Sequence, residues 1–302
     1  MPAPLKSMIA ALALASIAPA SYAQTIALAE PVPMTNITAQ MNAPIDVDAT
    51  TSQLESRYKL NYKVDIPVTA AGMAWSFFAF GKIYDKSHSD TADIAALNKE
   101  NLNKLDRWAA GMHDENAATV SDYFFYTAPL MPFFLLADKK IRHDAPKVGF
   151  MYLEAMAITG LLYTGTDYFV DRYRPETYRT DKTPGEKTDG NYRNAFFAGH
   201  VAMVGTATFF MAKVYNDYHP HNNFRYLMWG GAILATGTTA YLRHKAGKHF
   251  PTDIAVGAAV GVLSGVLVPE LHKNKKFSNS GWGLSPAMIQ DKPGFALNYR
   301  FK

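Results

Sequence analysis

The stretch Arg243-His244-Lys245-Ala246-Gly247-Lys248-His249-Phe250-Pro251-Thr252-Asp253 lies between two apolar runs and mixes residue types suited to phosphoryl transfer. Such chemistry needs fixed cations around phosphate oxygens, an in-line nucleophile, and a group that holds the nucleophile in one tautomer. Arg243 offers a planar donor fork that matches phosphate. His249 and Asp253 are four apart, a spacing at which the carboxylate could accept from one ring nitrogen and leave the other free to attack phosphorus. The same spacing also fits a basic loop followed by an ordinary first-turn acid stabilised by a helix dipole.

A second constellation lies upstream. Gly199-His200 opens one apolar run and Arg174-Pro175 closes another. A glycine beside a histidine at a helix N-terminus lets backbone N–H groups approach an anion while the imidazole serves as an acid. A single histidine in that place is more often a capping or packing residue. The three stretches together form a more specific pattern than any one of them.

Their order and spacing resemble the three-part signature of the type 2 phosphatidic acid phosphatases, or PAP2 superfamily, which also includes bacterial acid phosphatases and vanadium haloperoxidases. The resemblance covers about 66–271. Arg243, His249 and Asp253 match the third motif, with Leu242 where a serine is usual. Phe197-Ala198-Gly199-His200 corresponds to Pro-Ser-Gly-His, and Arg174-Pro175 ends the first motif, whose lysine position holds Asp167.

The resemblance implies that His249 attacks phosphorus to form a phosphohistidine, Asp253 orients it, and His200 protonates the leaving alcohol. Arg174, Arg243 and the Gly199 amide would hold the phosphoryl oxygens, with no metal or other cofactor. A missing hydroxyl at Ala198 costs about 1.5–3 kcal/mol if the bond is made in the transition state. Asp167 reverses a charge unless it pairs with a basic neighbour such as Arg174. These departures predict a retuned phosphatase, or a catalytically impaired membrane protein that binds phosphorylated lipid or a protein partner. They argue against vanadate chemistry, which depends on the same lysine and serine.

The elements that must position these residues follow from composition. Hydrophobic residues make up 48% of the 302 and charged residues 19%, below the roughly 25% usual for soluble domains, which favours membrane helices. Apolar runs near 66–80, 120–137, 148–170, 195–214, 226–242 and 254–271 predict an all-α, six-helix membrane bundle over 64–272. Glycines within the later runs would allow close helix contact.

The net charge of +4 is spread without a continuous basic stripe, which argues against nucleic acid. Absence of cysteine excludes disulfides and thiolate chemistry. Residues 1–23 read as a signal peptide with Lys6 before an apolar stretch and Ser21-Tyr22-Ala23 as its cleavage site; 24–63 read as an extended leader. The expected setting is a bacterial inner membrane with the site facing the periplasm.

Basic loops at 139–143 and 272–276 support that orientation, whereas a cleaved signal followed by six crossings would reverse it. In the tail, 273–302, runs at 282–290 and 295–301 flank Asp291-Lys292-Pro293-Gly294 and predict a short hairpin. His219-Pro220-His221 lacks a further ligand at metal spacing and reads as a loop, and Glu154 reads as facing a polar bundle interior.

Overall fold

A computed structural model describes residues 56–274 and the backbone of 282–289 and 292–299. The signal expected at 1–23 and most of the leader expected at 24–63 fall outside the described residues. The described chain is mostly helical. Helix α1 spans Tyr62–Tyr84, followed by the short α2, Thr91–Ala95. Helix α3, Glu115–Thr127, starts where the Asp114 carboxylate accepts from the Ala117 amide at 2.9 Å, satisfying one orphan N–H of the first turn.

The run expected as one helix over 120–137 is split. At Thr127 the α-helix gives way to a 3-10 segment, Ala128–Ala137. Pro132 within it has no N–H to donate and its ring crowds the carbonyl four residues back, which disfavours a continuous α-helix. Next come the short α4, Lys139–His143, and the long α5, Ala145–Phe169. After a stretch of irregular chain and 3-10 turns follow α6, Gly199–Tyr218, α7, Phe224–Lys245, and α8, Pro251–Leu271.

Helix α6 is the centre of the bundle. It is buried on almost every side, from Gly199 and Val201 through Phe210 to Tyr218, and is packed by α5, α7, α8 and the 128–137 segment. A helix buried all round needs small or apolar residues all round, which its Ala-, Gly-, Val- and Phe-rich sequence supplies. Opposite it, Gly257, Gly261 and Gly265 repeat every four residues on α8 and so share a face. A Cβ at Gly261 would stand 2.5 Å from the Ala202 carbonyl oxygen, so the two backbones meet at a separation only glycine permits. This close contact holds the middle of α8 against the first turn of α6.

Among the described residues, three helices are long and apolar enough to cross a bilayer: α1, α5 and α8. Together with the PAP2-like motifs they mark a membrane protein. Large apolar side chains are also exposed on α1 (Phe77), on the 3-10 segment (Phe133, Phe134) and on α7 (Leu227, Leu234). An exposed apolar surface of this extent suits lipid rather than water. Separately, Trp282–Ile289 pairs antiparallel with Lys292–Tyr299, so the second strand begins at Lys292 rather than at Phe295.

Candidate active site

Helix ends and connectors supply the polar residues. The backbone of 172–174 runs beside 192–195: the Arg174 amide donates to the Tyr192 carbonyl at 2.8 Å, and the Ala195 amide to the Arg172 carbonyl at 3.1 Å. That pairing holds Arg174 next to the start of α6. Its Nη2 donates to Asn191 Oδ1 at 3.1 Å and its Nε to the Asn194 carbonyl at 3.4 Å.

Arg243, in the last turn of α7, is 5% exposed. Its Nη1 donates to Ser121 Oγ and to Asp122 Oδ1, each at 3.2 Å, while its buried Nε has no hydrogen-bond partner. A buried guanidinium with a spare N–H is a ready donor for an anionic ligand.

His249 stands in the connector between α7 and α8 and is 2% exposed. Its Nδ1 lies 2.7 Å from the Ala195 carbonyl oxygen, which can only accept, so Nδ1 carries the proton and Nε2 keeps its lone pair. Burial, and then the positive charges of Arg243 and Arg174, push its pKa well below the usual imidazole value, which favours the neutral ring.

His200, in the first turn of α6, stacks on Phe125 with ring centroids 4.2 Å apart, and its Nε2 is 3.0 Å from Asp122 Oδ1. Burial lowers its pKa to about 4, against the opposing hydrogen bond to Asp122. Asp122 itself is held below the usual carboxylate range, chiefly by that bond to His200. A single carboxylate oxygen thus ties the imidazole to Arg243.

Arg174, Gly199, His200, Arg243 and His249 all line one cavity of about 610 Å³. Gly199 is required there, since a Cβ would lie 2.5 Å from Cε2 of the Tyr163 ring. No side chain caps the N-terminus of α6, where Ala198 stands as N-cap, so its first amides are left for another acceptor.

Asp253 is placed differently from the expectation. One oxygen accepts from the Phe250 amide at 2.8 Å, and the other pairs with Arg172. The bond expected from His249 goes to the Ala195 carbonyl instead. The reason is local: α8 begins at Pro251, so His249 precedes the helix and the four-residue spacing does not place it on Asp253's face. Asp253 still serves the site indirectly, because its main-chain carbonyl accepts from the Ala198 amide at 3.1 Å and ties α8 to the start of α6. Behind it, Arg172 also binds Asp106 at 2.6 Å, and Asp106 accepts from the Thr252 hydroxyl at 2.6 Å.

Asp167 is fully buried and lies outside the cavity lining. A pair with Arg174, which would have offset the reversed charge, is not formed: neither carboxylate oxygen has a hydrogen-bond partner, and Lys86 reaches the Asp167 main-chain oxygen at 2.6 Å and Asp171 at 2.8 Å.

Sequence reasoning missed Asp122, Asn191 and Lys248, all of which line the cavity. Lys248 is held by both oxygens of Glu176, at 2.7 and 2.9 Å. Asp122 carried a usable signal as an acid within an apolar run, the same signal that marked Glu154.

The helical bundle gathers two imidazoles, two guanidinium groups and the uncapped start of α6 around one cavity, a donor-rich arrangement suited to an oxyanion. Among the comparisons with known proteins, residues 149–277 match the family model of the PAP2 superfamily, in agreement with the resemblance read from the motifs. The matched stretch holds Arg174, Gly199, His200, Arg243, His249 and Asp253. Proteins of that superfamily are generally phosphatases, so the match supports a phosphoric ester hydrolase at a coarse level. No curated protein and no solved structure matches the chain.

Proposed function

We propose that this protein hydrolyses a phosphomonoester or diphosphate of a lipid-linked substrate through a phosphohistidine on His249. The observation that carries the reading is the gathering of Arg174, Gly199, His200, Arg243 and His249 around one cavity, with His249 Nε2 left as the free lone pair. In the first step Nε2 forms a bond to phosphorus as the bond to the leaving oxygen breaks. His200, which takes up a proton when the phosphate anion enters the cavity, gives that proton to the leaving oxygen and the alcohol departs.

In the second step His200, now neutral, takes a proton from water as the water oxygen attacks phosphorus. The P–N bond breaks and inorganic phosphate leaves. Arg174, Arg243 and the Gly199 amide stabilise the charge that accumulates on the equatorial oxygens. Asp122 accepts the Nε2 proton of His200, so the proton transferred is the one on Nδ1, and the same carboxylate oxygen accepts from Arg243. Asp253 acts by fixing the start of α8 rather than by touching the nucleophile.

A lipid-linked substrate is supported by the cavity wall beside α1 and α3. Phe80, Tyr84, Phe125 and Tyr126 line it, and Tyr126 is 71% exposed at the surface. A phosphate at the polar end and an acyl or prenyl chain along the aromatic wall would satisfy both halves. Such a substrate is consistent with a site on the periplasmic side of a bacterial inner membrane.

The test is phosphate release by the purified full chain from phosphatidic acid, a prenyl diphosphate, a lipid A phosphate and a soluble aryl phosphate, beside His249→Ala. Turnover of one lipid in wild type alone supports the reading. Equal background in both proteins favours binding without catalysis, to which the prior engagement of His200 and Arg243 by Asp122 lends support.

A further inference from the structure

Away from the cavity, a second group of ligand-type side chains meets among the helices. Asp65 lies in the first turn of α1, Glu154 on α5 and His272 directly after α8, so each helix able to cross a bilayer supplies one. Glu154 precedes Phe169, where α5 leads toward Arg174, by about 15 residues or ~22 Å of helix. The cluster therefore belongs to a different level of the bundle from the phosphate cavity, and none of its members lines that cavity.

All three residues are buried, and their ligand atoms lie within 4.8 Å of one another. His272 Nδ1–H donates to the Val268 carbonyl at 2.8 Å. That bond fixes the ring and turns Nε2 toward the acids, 3.1 Å from Asp65 Oδ2 and 3.4 Å from Glu154 Oε2. A backbone carbonyl behind the distal ring nitrogen is the usual support of a metal-binding histidine.

The second observation concerns Glu154, which is 6% exposed and whose Oε2 has no hydrogen-bond partner. A buried carboxylate oxygen without a partner is costly. Two carboxylates facing one ring nitrogen are relieved by positive charge between them, supplied by a metal ion or by the proton of an imidazolium. Charge-assisted N–H···O bonds close to about 2.7–2.9 Å, shorter than either contact here. Ligand atoms bound to a tetrahedral zinc-type ion at ~2.0–2.1 Å stand about 3.3 Å apart, which the separations of 3.1 and 3.4 Å bracket.

We propose that Asp65, Glu154 and His272 form a site for a divalent transition metal of the zinc class that fastens α1, α5 and α8 together. An imidazole with two carboxylates favours such an ion over magnesium or calcium, which take oxygen ligands. The fourth position is left to water. The competing occupant is a proton on His272, which would make the cluster a plain ion triad.

The test uses the full-length protein in detergent, stripped of metal and titrated separately with Zn2+ and Co2+. One tight equivalent of Zn2+, visible absorption of four-coordinate Co2+, and a zinc absorption edge fitted by a single imidazole and oxygen ligands are expected. Glu154→Gln should weaken Zn2+ at least tenfold, while the double variant His219→Ala/His221→Ala should bind as wild type does. Absence of a stoichiometric equivalent in wild type, or coordination by two imidazoles, overturns the proposal. Both readings come from wild type, so a variant that fails to fold leaves the test intact, and neither depends on phosphatase activity.

Discussion

At the scale of single residues, the nucleophilic role proposed for His249 depends on a main-chain carbonyl. Because Ala195 takes the Nδ1 proton, replacing Asp253 should disturb the start of α8 more than the tautomer of His249. His249→Ala should lower phosphate release by about 10³-fold or more, as expected when a covalent nucleophile is removed. Rapid quench with a 32P-labelled substrate should trap an acid-labile, alkali-stable phosphoprotein in wild type and none in the variant.

Asp122→Asn tests the acid. Its hydrogen bond raises the basicity of His200 against burial, so its loss should make His200 give up its proton at lower pH. The alkaline limb of the rate profile should then move down by about one to two pH units, given ~1.5–3 kcal/mol for a charged hydrogen bond. An unmoved limb with a uniform loss of rate would show that Asp122 only supports Arg243. The motifs at 199–200 and 243–253 made His200 and His249 legible as cavity residues, whereas Asp122 meets its partners across 78 and 121 residues, a pairing that no local pattern encodes.

At the scale of elements, periodicity and apolar runs were enough to locate α1, α5, α6, α7 and α8, but not to say which face lipid. Helix α6 reads like its neighbours in sequence and is instead the buried axis, a distinction that depends on how the others wrap it. The broken stretch at 128–137 was readable in principle from Pro129 and Pro132. Two glycine substitutions separate packing from propensity.

Gly261→Val must displace the Ala202 backbone, since even a Cβ would stand 2.5 Å from its carbonyl oxygen, and should destabilise by about 1–3 kcal/mol or more with loss of activity. Gly230→Ala, where nothing lies within 4 Å, should be neutral or stabilising by up to about 1 kcal/mol. Thermal unfolding of both in the same detergent checks the contrast. A comparable loss in the two would mean that α8 is not held by backbone contact with α6.

At the scale of the whole molecule, the cavity imposes a pH limit on the fold. His249 and His200 are both buried neutral, and each binds a proton less readily in the folded protein than in the unfolded chain, where an imidazole titrates near ~6.5. Above that pH neither state holds the proton and the histidines add no pH dependence. Below it the unfolded chain takes up protons that the folded protein refuses, so stability falls as pH drops.

For His200 the window runs from about 6.5 down to about 4, and the loss across it is on the order of 3 kcal/mol. His249 extends the same trend to lower pH. Thermal unfolding followed from pH 7.5 to 4.5 should therefore show a declining midpoint in wild type and a shallower decline in His200→Gln, which has no ring to protonate. Bound inorganic phosphate should flatten the wild-type curve too, because an anion between the two imidazoles favours their protonated forms. Parallel curves for wild type and variant would place the acid sensitivity elsewhere, in a carboxylate such as Asp106, which hydrogen bonds from Thr252, Asn103 and Arg172 hold below the usual carboxylate range against burial.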